Sequence, residues 1–576
     1  MFNRRYIYLL VVLVTLAVSF FSLTNKGSVS KLLASANDQP GVGASVVFLP
    51  VISKPMIINT MADGTDWDPG DGFCETGPGN NICTLRAIIQ ETNAQVGPDT
   101  IFVPAGQYKL TIVGAGENNG ASGDLDVLDD LTIIGANAAM TIIDGNQTDR
   151  VFDVRDSTVS ISYVTIKNGD VSGSSEGGGI INGEGPLTLD QVVIDNNMAQ
   201  SGGGIESFGP LTVTNSIISN NEAVNGNGGG IKAGTLSIFG TTVQGNIAER
   251  IGGGINAMWI VLADSIIINN TIGSAGPVRE GGGLSISIFA TLDNCTIANN
   301  MVSNGVGGGI FITTNATVTI NRCHIIGNAV TGSSSGVGGG GIYSESHQVV
   351  AITDTTIQGN SSGYSGGGIH HVPGFSPVGE MRLNRVTVRQ NTAPAFGAGI
   401  YNDWKMYLTN VTISGNEAVG SFNQYGGGIY QHGLLLMITN STIAENKARN
   451  GGGIYQSSGD IFLENTILAD NLISLGGNTS TYNCSGSFTS NGHNLEDGDN
   501  CNFNAVGDLS NTDPLLAPLL TGYGWTAFYP LNNGSPAIDK GNNSVCPAID
   551  QRGAVRPFDG DGNGSAICDI GSFEYP

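Results

Sequence analysis

Apolar and polar residues alternate along this chain in short segments that recur many times. Val411 and Ile413 flank Thr412, which is the period-two pattern of a β-strand with one buried face. Each recurrence contains a strand after a run of glycines, a short strand of the Leu-Thr-Val type, and a strand through Thr-Ile that ends at an asparagine. The pattern therefore predicts stacked strands rather than amphipathic helices.

A Gly-Gly-Gly-Ile motif marks each repeat. Its last residue stands at Ile180, Ile205, Ile231, Ile255, Leu284, Ile310, Ile342, Ile369, Ile400 (as Gly-Ala-Gly-Ile), Ile429 and Ile454. Successive motifs are 24 to 32 residues apart, and a solenoid accepts such variation in its loops while its strands keep register. A β-propeller would need about 40 residues and four strands per repeat, and an array of antiparallel sandwiches is the other alternative. We predict an all-β fold, a single-stranded right-handed parallel β-helix that resembles the pectin-lyase-like solenoids.

Asparagines recur at one turn of the repeat. They are Asn246, Asn270, Asn300, Asn328, Asn360, Asn391, Asn416, Asn446 and Asn471. Asparagine tolerates a left-handed backbone, and its amide can hydrogen-bond along a stack of equivalent residues. We therefore predict an asparagine ladder along one corner of the solenoid.

The segment before the first repeats predicts a cap, which a solenoid needs because its core is exposed at each end. Leu85, Ile88 and Ile89 follow helical spacing, so we expect a short capping helix before the first strand. Residues 83–88 are Cys-Thr-Leu-Arg-Ala-Ile, and residues 57–110 resemble the CSLREA-type domain that begins many bacterial surface β-helix proteins. This chain has Thr84 in place of serine and Ala87-Ile88 in place of Glu-Ala. The resemblance implies an exported surface protein.

The C-terminal end also differs from the repeats. It contains Gly534-Ser535-Pro536-Ala537-Ile538-Asp539, Asp550-Gln551-Arg552-Gly553 and Asp569-Ile570-Gly571-Ser572-Phe573-Glu574. These motifs resemble the choice-of-anchor Q domain, and we assign residues 476–576 to a C-terminal cap. Residues 111–475 between the caps are the predicted coils, and they resemble polymorphic outer-membrane protein repeats. These resemblances imply a location at the cell surface.

The N-terminal residues predict export. Met1 to Arg5 include two arginines, Tyr6 to Leu23 form an apolar run, and Ala34-Ser35-Ala36 is a candidate cleavage motif. Residues 1–36 are therefore a cleaved signal peptide or a retained N-terminal anchor, followed by a linker at 37–56. The sequence has no second apolar run of that length, so we expect membrane contact only through the N-terminal segment.

Composition narrows the range of partners. The formal net charge is -25, and charged residues make up 12% of the chain. A nucleic-acid partner needs clustered Lys and Arg that displace counterions from phosphates, so we expect none. Extracellular polysaccharide or another component of the cell envelope fits an outer surface rich in Ser, Thr, Asn and Gly.

The eight cysteines fall into four close pairs. The pairs are Cys74 with Cys83, Cys295 with Cys323, Cys484 with Cys501, and Cys546 with Cys568. An even number of cysteines in an exported chain favours disulfides, and proximity suggests this pairing. Cys295 and Cys323 each precede a ladder asparagine by five residues, so they lie on successive coils. A disulfide and two stacked thiols both fit that pair.

Two acidic loops are candidate calcium sites. They contain Asp63, Asp66, Asp68 and Asp71 near the start, and Asp559, Asp561 and Asn563 near the end. The second loop has oxygen ligands at positions one, three and five and a glycine at position six, as in the first half of an EF-hand loop. Ile570 stands where the bidentate glutamate of an EF-hand would be. Calcium and a polar turn are both open at each loop.

Catalytic residues must be considered because pectin-acting enzymes use the same fold. A hydrolase needs two carboxylates about 5 to 10 Å apart, and Asp129-Asp130 lacks the Gly-His-Gly that would accompany such a pair. A lyase needs a base and a group that neutralises the substrate carboxylate. Two neighbouring coils gather His370, His371, Arg385, Arg389, Asp403 and Lys405. His371, Arg385 and Asp403 are the resulting catalytic candidates.

The expected function is a structural, adhesive or glycan-contacting role for an exported β-helix protein, at the cell surface or secreted. The repeats present mainly uncharged polar residues outward, with few charges that could converge on a substrate. The alternative is a polysaccharide-active lyase or glycoside hydrolase. A deep cleft that holds His371, Arg385 and Asp403 together would favour this alternative.

Overall fold

The computed structural model describes residues 57–576 except 274–278, 373–378, 421–423, 476–477 and 523. These residues form a right-handed parallel β-helix of about 14 turns, which confirms the predicted fold. The described chain has one α-helix, α1 (Leu85–Ala94), and it is too short to span a membrane. The predicted signal or anchor segment (1–36) and linker (37–56) lie outside the described residues.

Each coil has up to four strand positions, numbered from the glycine motif onward. The first position is occupied by Leu125–Val127, Phe152–Val154, Ile180–Asn182, Ile310–Ile312, Ile342–Ser344, Ile369–His371, Ile400–Asn402, Ile429–Gln431, Ile454–Gln456 and Cys484–Ser485. Longer strands cover the first and second positions at Ile205–Thr214, Ile231–Phe239, Ile255–Ala263 and Leu284–Asp293. The second position is occupied by Asp99–Val103, Leu131–Gly135, Val159–Ser162, Leu187–Asp190, Thr317–Asn321, Lys405–Thr409, Leu435–Thr439, Asp460–Glu464 and Thr489–Ser490. Val349–Gln358 and Glu380–Arg389 cover the second and third positions.

The third and fourth strand positions complete each coil. The third position is occupied by Gly106–Lys109, Thr141–Asp144, Thr165–Lys167, Val193–Asp195, Ile217–Ser219, Thr242–Gln244, Ile266–Ile268, Thr296–Ala298, His324–Ile326, Thr412–Ser414, Thr442–Ala444, Ile467–Ala469 and Leu495–Glu496. The fourth is occupied by Asp170–Glu176, Met198–Ser201, Glu222–Ala223, Ile247–Ala248, Thr271–Ile272, Met301–Ser303, Ala329–Thr331, Ser361–Ser362, Thr392–Ala393, Glu417–Ala418, Lys447–Ala448, Leu472–Leu475 and the antiparallel Asn478–Thr481. The sequence pattern predicts only the first three positions, because most strands of the fourth are too short to show alternation.

Parallel strands of neighbouring coils align equivalent residues. Ile342, Ile369 and Ile400 are aligned in this way, and each is 0% exposed. Their side chains stack along the solenoid axis and fill its interior. Burial of one such side chain contributes about 1.5–3 kcal/mol to stability, which explains why an apolar residue follows the glycines in every repeat.

The predicted asparagine ladder is confirmed. The side-chain amide of Asn328 donates to the Oδ1 of Asn360, and that of Asn360 donates to the Oδ1 of Asn391, both at 3.0 Å. The left-handed residue of this corner is not the ladder asparagine but the residue before it, such as Gly359 with a φ of 62° or Gln390 with a φ of 52°. The preceding residue makes the turn, and the asparagine amide then points inward to its partners.

Close backbone contacts require the glycines of the motif. Gly366 has a φ of 61°, in the left-handed region that favours glycine. A Cβ on Gly368 would lie 2.6 Å from the carbonyl oxygen of Gly399 and 2.9 Å from the Nδ2 of Asn391. Neighbouring coils can therefore stack this closely only because the position of Gly368 carries no side chain.

All four predicted disulfides are present. They join Cys74 to Cys83, Cys295 to Cys323, Cys484 to Cys501 and Cys546 to Cys568. Cys295 and Cys323 lie on neighbouring coils with their Cα atoms 4.6 Å apart and form a disulfide rather than two thiols. Four disulfides in one chain are typical of an exported protein.

The predicted helix α1 is present at the N-terminal end. Arg86 on this helix is buried, and its guanidinium forms an ion pair with Asp63 at 2.7 Å. The same guanidinium donates to the carbonyl oxygens of Gly123 and Asp124, at 2.7 and 2.8 Å. A single cation thus ties the helix to the loop before it and to the first coil.

The C-terminal segment, residues 503–576, does more than close the last coil. Its residues Phe528, Leu531, Ala537, Ile538, Ile570 and Phe573 form a separate apolar cluster with Ile467, Ala469 and Leu495 of the last coils. It also runs along the third strand position, where the Thr356 hydroxyl donates to the carbonyl oxygen of Trp525 and the Thr387 hydroxyl to that of Ala527, both at 2.7 Å. The segment therefore covers one flank of several coils, which the prediction of an end cap does not include.

Candidate functional site

A column of aromatic side chains points away from the interior of the solenoid beside the glycine corner, and most of its rings are largely buried. Its members, named here the aromatic ladder, are Phe311, Tyr343, His370, Tyr401, Tyr430 and Tyr455. Each follows the inward isoleucine of a glycine motif, and strand alternation turns the next residue outward. Six successive coils therefore carry a ring at the same outward position.

Neighbouring rings of the aromatic ladder stack on one another. The ring centroids are 4.8 Å apart for Tyr343 and His370, 4.3 Å for His370 and Tyr401, and 5.3 Å for Tyr401 and Tyr430. This spacing matches the distance between parallel strands, about 4.8 Å. Because the ring faces contact each other, a ligand would meet mainly ring edges and tyrosine hydroxyl groups.

An open groove, named here the aromatic groove, lies beside the ladder. Its volume is about 310 Å³, and a second column that includes Tyr364, Ser365 and Phe396 also lines it. A Cβ on Gly338 would lie 2.1 Å from the Nδ1 of His370. Glycine at this position therefore makes room for the ring that lines the groove.

The rings of the aromatic groove are neutral at ordinary pH. Burial lowers the pKa of His370 to about 3, and its Nδ1 lies 3.0 Å from the hydroxyl oxygen of Ser365. Burial raises the pKa of Tyr343 and of Tyr401 well above the ordinary value. The groove thus offers apolar edges and neutral hydrogen-bonding groups.

Two glutamates lie near this groove. Glu280 precedes a glycine motif two coils before Tyr343, and Glu345 follows Tyr343 by two residues. The charges of both glutamates act on the Tyr343 hydroxyl. Burial raises the pKa of Glu280 to about 7, with a further contribution from the charge of Glu345, whose own pKa burial also raises. Glu280 is therefore partly protonated at neutral pH, as a general acid must be.

The three residues predicted as catalytic do not share a cleft. His371 is 0% exposed, because alternation turns it into the interior. Arg385 lies at the corner between the second and third strand positions, where its Nε is 2.6 Å from Asp354, and the length of a five-residue strand, about 16 Å, separates this corner from the first position. Asp403 binds the Nδ1 of His432 at 2.7 Å. These residues therefore do not form the cleft that would favour a lyase.

The acidic loop near the start makes contacts within the cap. Asp63 pairs with Arg86, and its Oδ2 also accepts the backbone N–H of Thr111 at 2.6 Å. Asp66 accepts two backbone N–H groups, and its pKa is raised by burial to about 6. Asp68 is exposed. Among the described residues, this loop holds no group of three acidic side chains close enough to share a metal ion, so calcium there stays a prediction.

The acidic loop near the end brings three carboxylates together. Asp539, Asp559 and Asp561 each offer an oxygen, and these oxygens lie within 4.8 Å of one another. The backbone N–H of Asn563 donates to Oδ1 of Asp559 and of Asp561, both at 3.0 Å. Asp539 is not part of the predicted ligand set because it precedes the loop by 20 residues. This loop is the better calcium candidate of the two, and calcium binding stays a prediction.

The sequence carries a signal for the aromatic ladder that the spacing of the motifs alone does not reveal. The residue after the motif isoleucine or leucine is Lys232, Asn256 and Ser285 in three earlier coils, and a ring in every coil from Phe311 to Tyr455. Comparison of this single position across repeats finds the ladder. Glu280 and Glu345 give no such signal, because only the stacking of coils brings both of them near Tyr343.

Comparisons with known proteins add little. No protein-family model matches the sequence, and neither does any curated protein. The crystal structure of pectate lyase Pel9A is similar, with 12% sequence identity and a TM-score of 0.33 over 84% of this chain and 98% of that chain. This similarity is too low to support any statement about the activity of this chain.

Proposed function

We propose that this protein is an exported surface protein that binds glycan chains along the aromatic groove, in a structural or adhesive role. The observation that carries the proposal is the stack of six rings on successive coils. A linear polymer repeats along its length, as the ladder does, so the same contact can recur from one unit to the next. The four disulfides support export.

The chemistry of the groove favours a neutral glycan. Tyrosine supplies a rigid apolar ring together with a hydroxyl that donates and accepts hydrogen bonds. The ladder rings carry no charge near pH 7, since burial keeps His370 and Tyr343 neutral. The net charge of the chain, -25, disfavours an acidic polymer.

Binding assays on substituted proteins test this proposal. The residues 57–576 are titrated with neutral and with acidic polysaccharides, and we expect the neutral ones to bind better. Tyr401→Ala removes a ring from the middle of the ladder and should weaken binding by about tenfold or more, the usual effect of a buried aromatic anchor. Tyr407→Ala, on the second strand position, is the matched control and should bind as the unchanged protein does. Equal affinity of the Tyr401 and Tyr407 variants would refute the proposal.

A glycoside hydrolase is the second candidate function, and the raised pKa values of Glu280 and Glu345 favour it. Glu280 aligns with Gly338 two coils further on, Glu345 follows Gly338 by seven residues, and the two carboxylates interact electrostatically. An inverting hydrolase holds such a pair about 6.5–9.5 Å apart. Formation of new reducing ends from a bound polysaccharide, lost in Glu280→Gln but kept in Glu417→Gln, would support this candidate. Glu417 forms an exposed ion pair with Lys447 and serves as the control. Binding without new reducing ends would leave the first proposal.

A further inference from the structure

A second cavity lies where the C-terminal segment crosses the third strand position. Its volume is about 260 Å³, and residues of three neighbouring coils line it together with residues of the segment. His324 comes from the first of these coils, Gln358 from the second and Arg389 from the third, as the strand register shows. The segment contributes Trp525, among others. The cavity is separate from the aromatic groove, which lies at the first strand position.

Specific contacts hold the outer wall of this cavity in place. The Thr356 hydroxyl donates to the carbonyl oxygen of Trp525 at 2.7 Å, and the backbone N–H of Ala527 donates to the Thr387 hydroxyl at 2.8 Å. The indole ring of Trp525 lies 5.1 Å from the imidazole ring of His324, centroid to centroid. One end of the cavity is thus a pair of fixed rings.

At the other end of the cavity lies Arg389, a cation that forms no ion pair with a carboxylate of the described chain. Arg389 lines the cavity, and no carboxylate of the described chain lies within ion-pair distance of it. Its Nη2 donates to the amide oxygen of Gln390 at 3.0 Å, whereas its buried Nε has no hydrogen-bond partner among the described residues. No acidic residue is among the lining residues. Acidic residues outnumber basic ones by 48 to 23 in this chain, so an arginine that forms no ion pair is unusual here. We therefore infer that its partner is an anion from outside the chain.

We propose that this cavity binds a small molecule that carries a carboxylate on a six-membered ring. The carboxylate pairs with the guanidinium of Arg389, whose planar fork of N–H donors matches two carboxylate oxygens. The ring lies against Trp525 and His324, two coils away, about 10 Å along the axis. The volume equals roughly nine water molecules at liquid density, which fits one such ring with its carboxylate. A free aromatic acid and an acidic sugar share this chemistry.

Ligand titration tests the proposal on the protein of residues 57–576. Benzoate represents a free aromatic acid and glucuronate an acidic sugar, and isothermal titration calorimetry measures their affinity. Glucose and benzamide serve as controls that have the ring without the negative charge. Inorganic phosphate is a control that has negative charge without a ring. We expect at least one of the two carboxylates to bind about tenfold or more tightly than its neutral analogue and than phosphate. Binding of benzoate would identify the ligand as a free aromatic acid, and binding of glucuronate would identify it as an acidic sugar.

Substitutions locate the binding. Arg389→Gln should weaken binding of the carboxylate by about tenfold or more. We expect the ligand to change the tryptophan fluorescence of the unchanged protein, and Trp525→Phe, which keeps an aromatic ring, should still bind the ligand but lose this change. Arg382→Gln is the matched control, because Arg382 lies on the second strand position and pairs with Glu380. Thermal melting of each variant checks that the fold is kept.

Several outcomes would overturn the proposal. They are binding of phosphate as tight as that of the carboxylates, failure of both carboxylates at millimolar concentration, and equal loss in Arg389→Gln and Arg382→Gln. Tyr401→Ala should leave carboxylate binding unchanged, because Tyr401 lines the aromatic groove and not this cavity. The two proposals can therefore fail separately.

Discussion

At the scale of single residues, much of this solenoid is held by polar side chains that meet their own equivalents in the next coil. The side-chain amide of Asn402 inside the solenoid donates to the Oε1 of Gln431 at 2.7 Å, one coil further on, much as each ladder asparagine does with its successor. Buried polar groups are stable only when they are paired. Repetition supplies the partner, so a polar residue can occupy the interior of many coils.

His371 is an interior residue with an ionisable side chain. Burial lowers its pKa to about 4, whereas the unfolded chain titrates near 6.5. Between about pH 6.5 and 4 the unfolded state therefore binds a proton that the folded state does not, so this residue lowers stability as the pH falls through that window. We expect His371→Gln to lose less stability than the unchanged protein between pH 7 and 5, measured by urea unfolding.

A matched variant isolates this effect from other titrations. Buried carboxylates such as Asp124, with a pKa raised to about 8, act with the opposite sign and are common to all variants. Ser344→Ala changes a buried residue without an ionisable side chain, aligned with His371 on the neighbouring coil, and should leave the difference between pH 7 and 5 nearly as in the unchanged protein. Identical pH dependence of the His371 variant and the unchanged protein would contradict the expectation.

Glycine in the motif can be tested at one position. Gly368→Ala would place a methyl group against the carbonyl oxygen of Gly399, and we expect it to lower the free energy of unfolding by about 1–3 kcal/mol or more. Gly336→Ala is the control, because nothing lies within 4 Å of a Cβ there, and its change should stay within about 0.5 kcal/mol. Chemical denaturation measures the free energy of unfolding of both variants. Similar values would show that the close contact does not require glycine at position 368.

At the scale of elements, the strands of the coil and the corners between them differ in how well the sequence predicts them. Strands of the first three positions could be predicted from alternation, because an inward isoleucine such as Ile369 leaves a pattern of period two. The fourth position could not, since Ser361–Ser362 is too short to carry a pattern. The corner asparagines were predictable from their recurrence, but not the fact that the residue before them takes the left-handed backbone.

Among the loops, the one that contains Asp559 and Asp561 is where we expect calcium. Cations relieve the repulsion of grouped carboxylates, and a ligand that binds only the folded state raises its stability. Calcium at millimolar concentration should therefore raise the melting temperature of the unchanged protein. Asp561→Asn should remove this increase, and Asp68→Asn in the other acidic loop should keep it. Loss of the increase in Asp68→Asn alone would move the site to the first loop.

At the scale of the whole molecule, the C-terminal segment is the feature that sequence analysis described least well. Its motifs predicted an end cap, whereas residues such as Trp525 and Ala527 reach coils that are 140 to 169 residues earlier in the chain. No local pattern encodes contacts at that separation. The cavity beside the segment was missed for the same reason, whereas the aromatic ladder recurs at one position of the repeat and could have been found by comparing that position across the coils.

Deletion of residues 514–576 tests the role of this segment. It would uncover Ile467 and Leu495, which pack in the cluster that the segment shares with the last coils, and the polar flank that includes Thr356 and Thr387. We expect a lower melting temperature and self-association at micromolar concentration, because exposed apolar surface and strand ends promote aggregation. Light scattering and thermal melting measure both. A monomeric deletion variant with an unchanged melting temperature would contradict this role.

The separation of contacts along the chain also has a kinetic consequence. Ladder hydrogen bonds join residues 24 to 32 positions apart, whereas the bond between Thr356 and Trp525 closes a loop of 169. Short loops close at lower entropic cost, and repeat folds propagate from neighbour to neighbour. We expect the coils to form first and the C-terminal segment to dock last. The cavity at Arg389 then forms only when the C-terminal segment has docked. A ligand that fills the cavity would therefore stabilise the docked segment and slow its release.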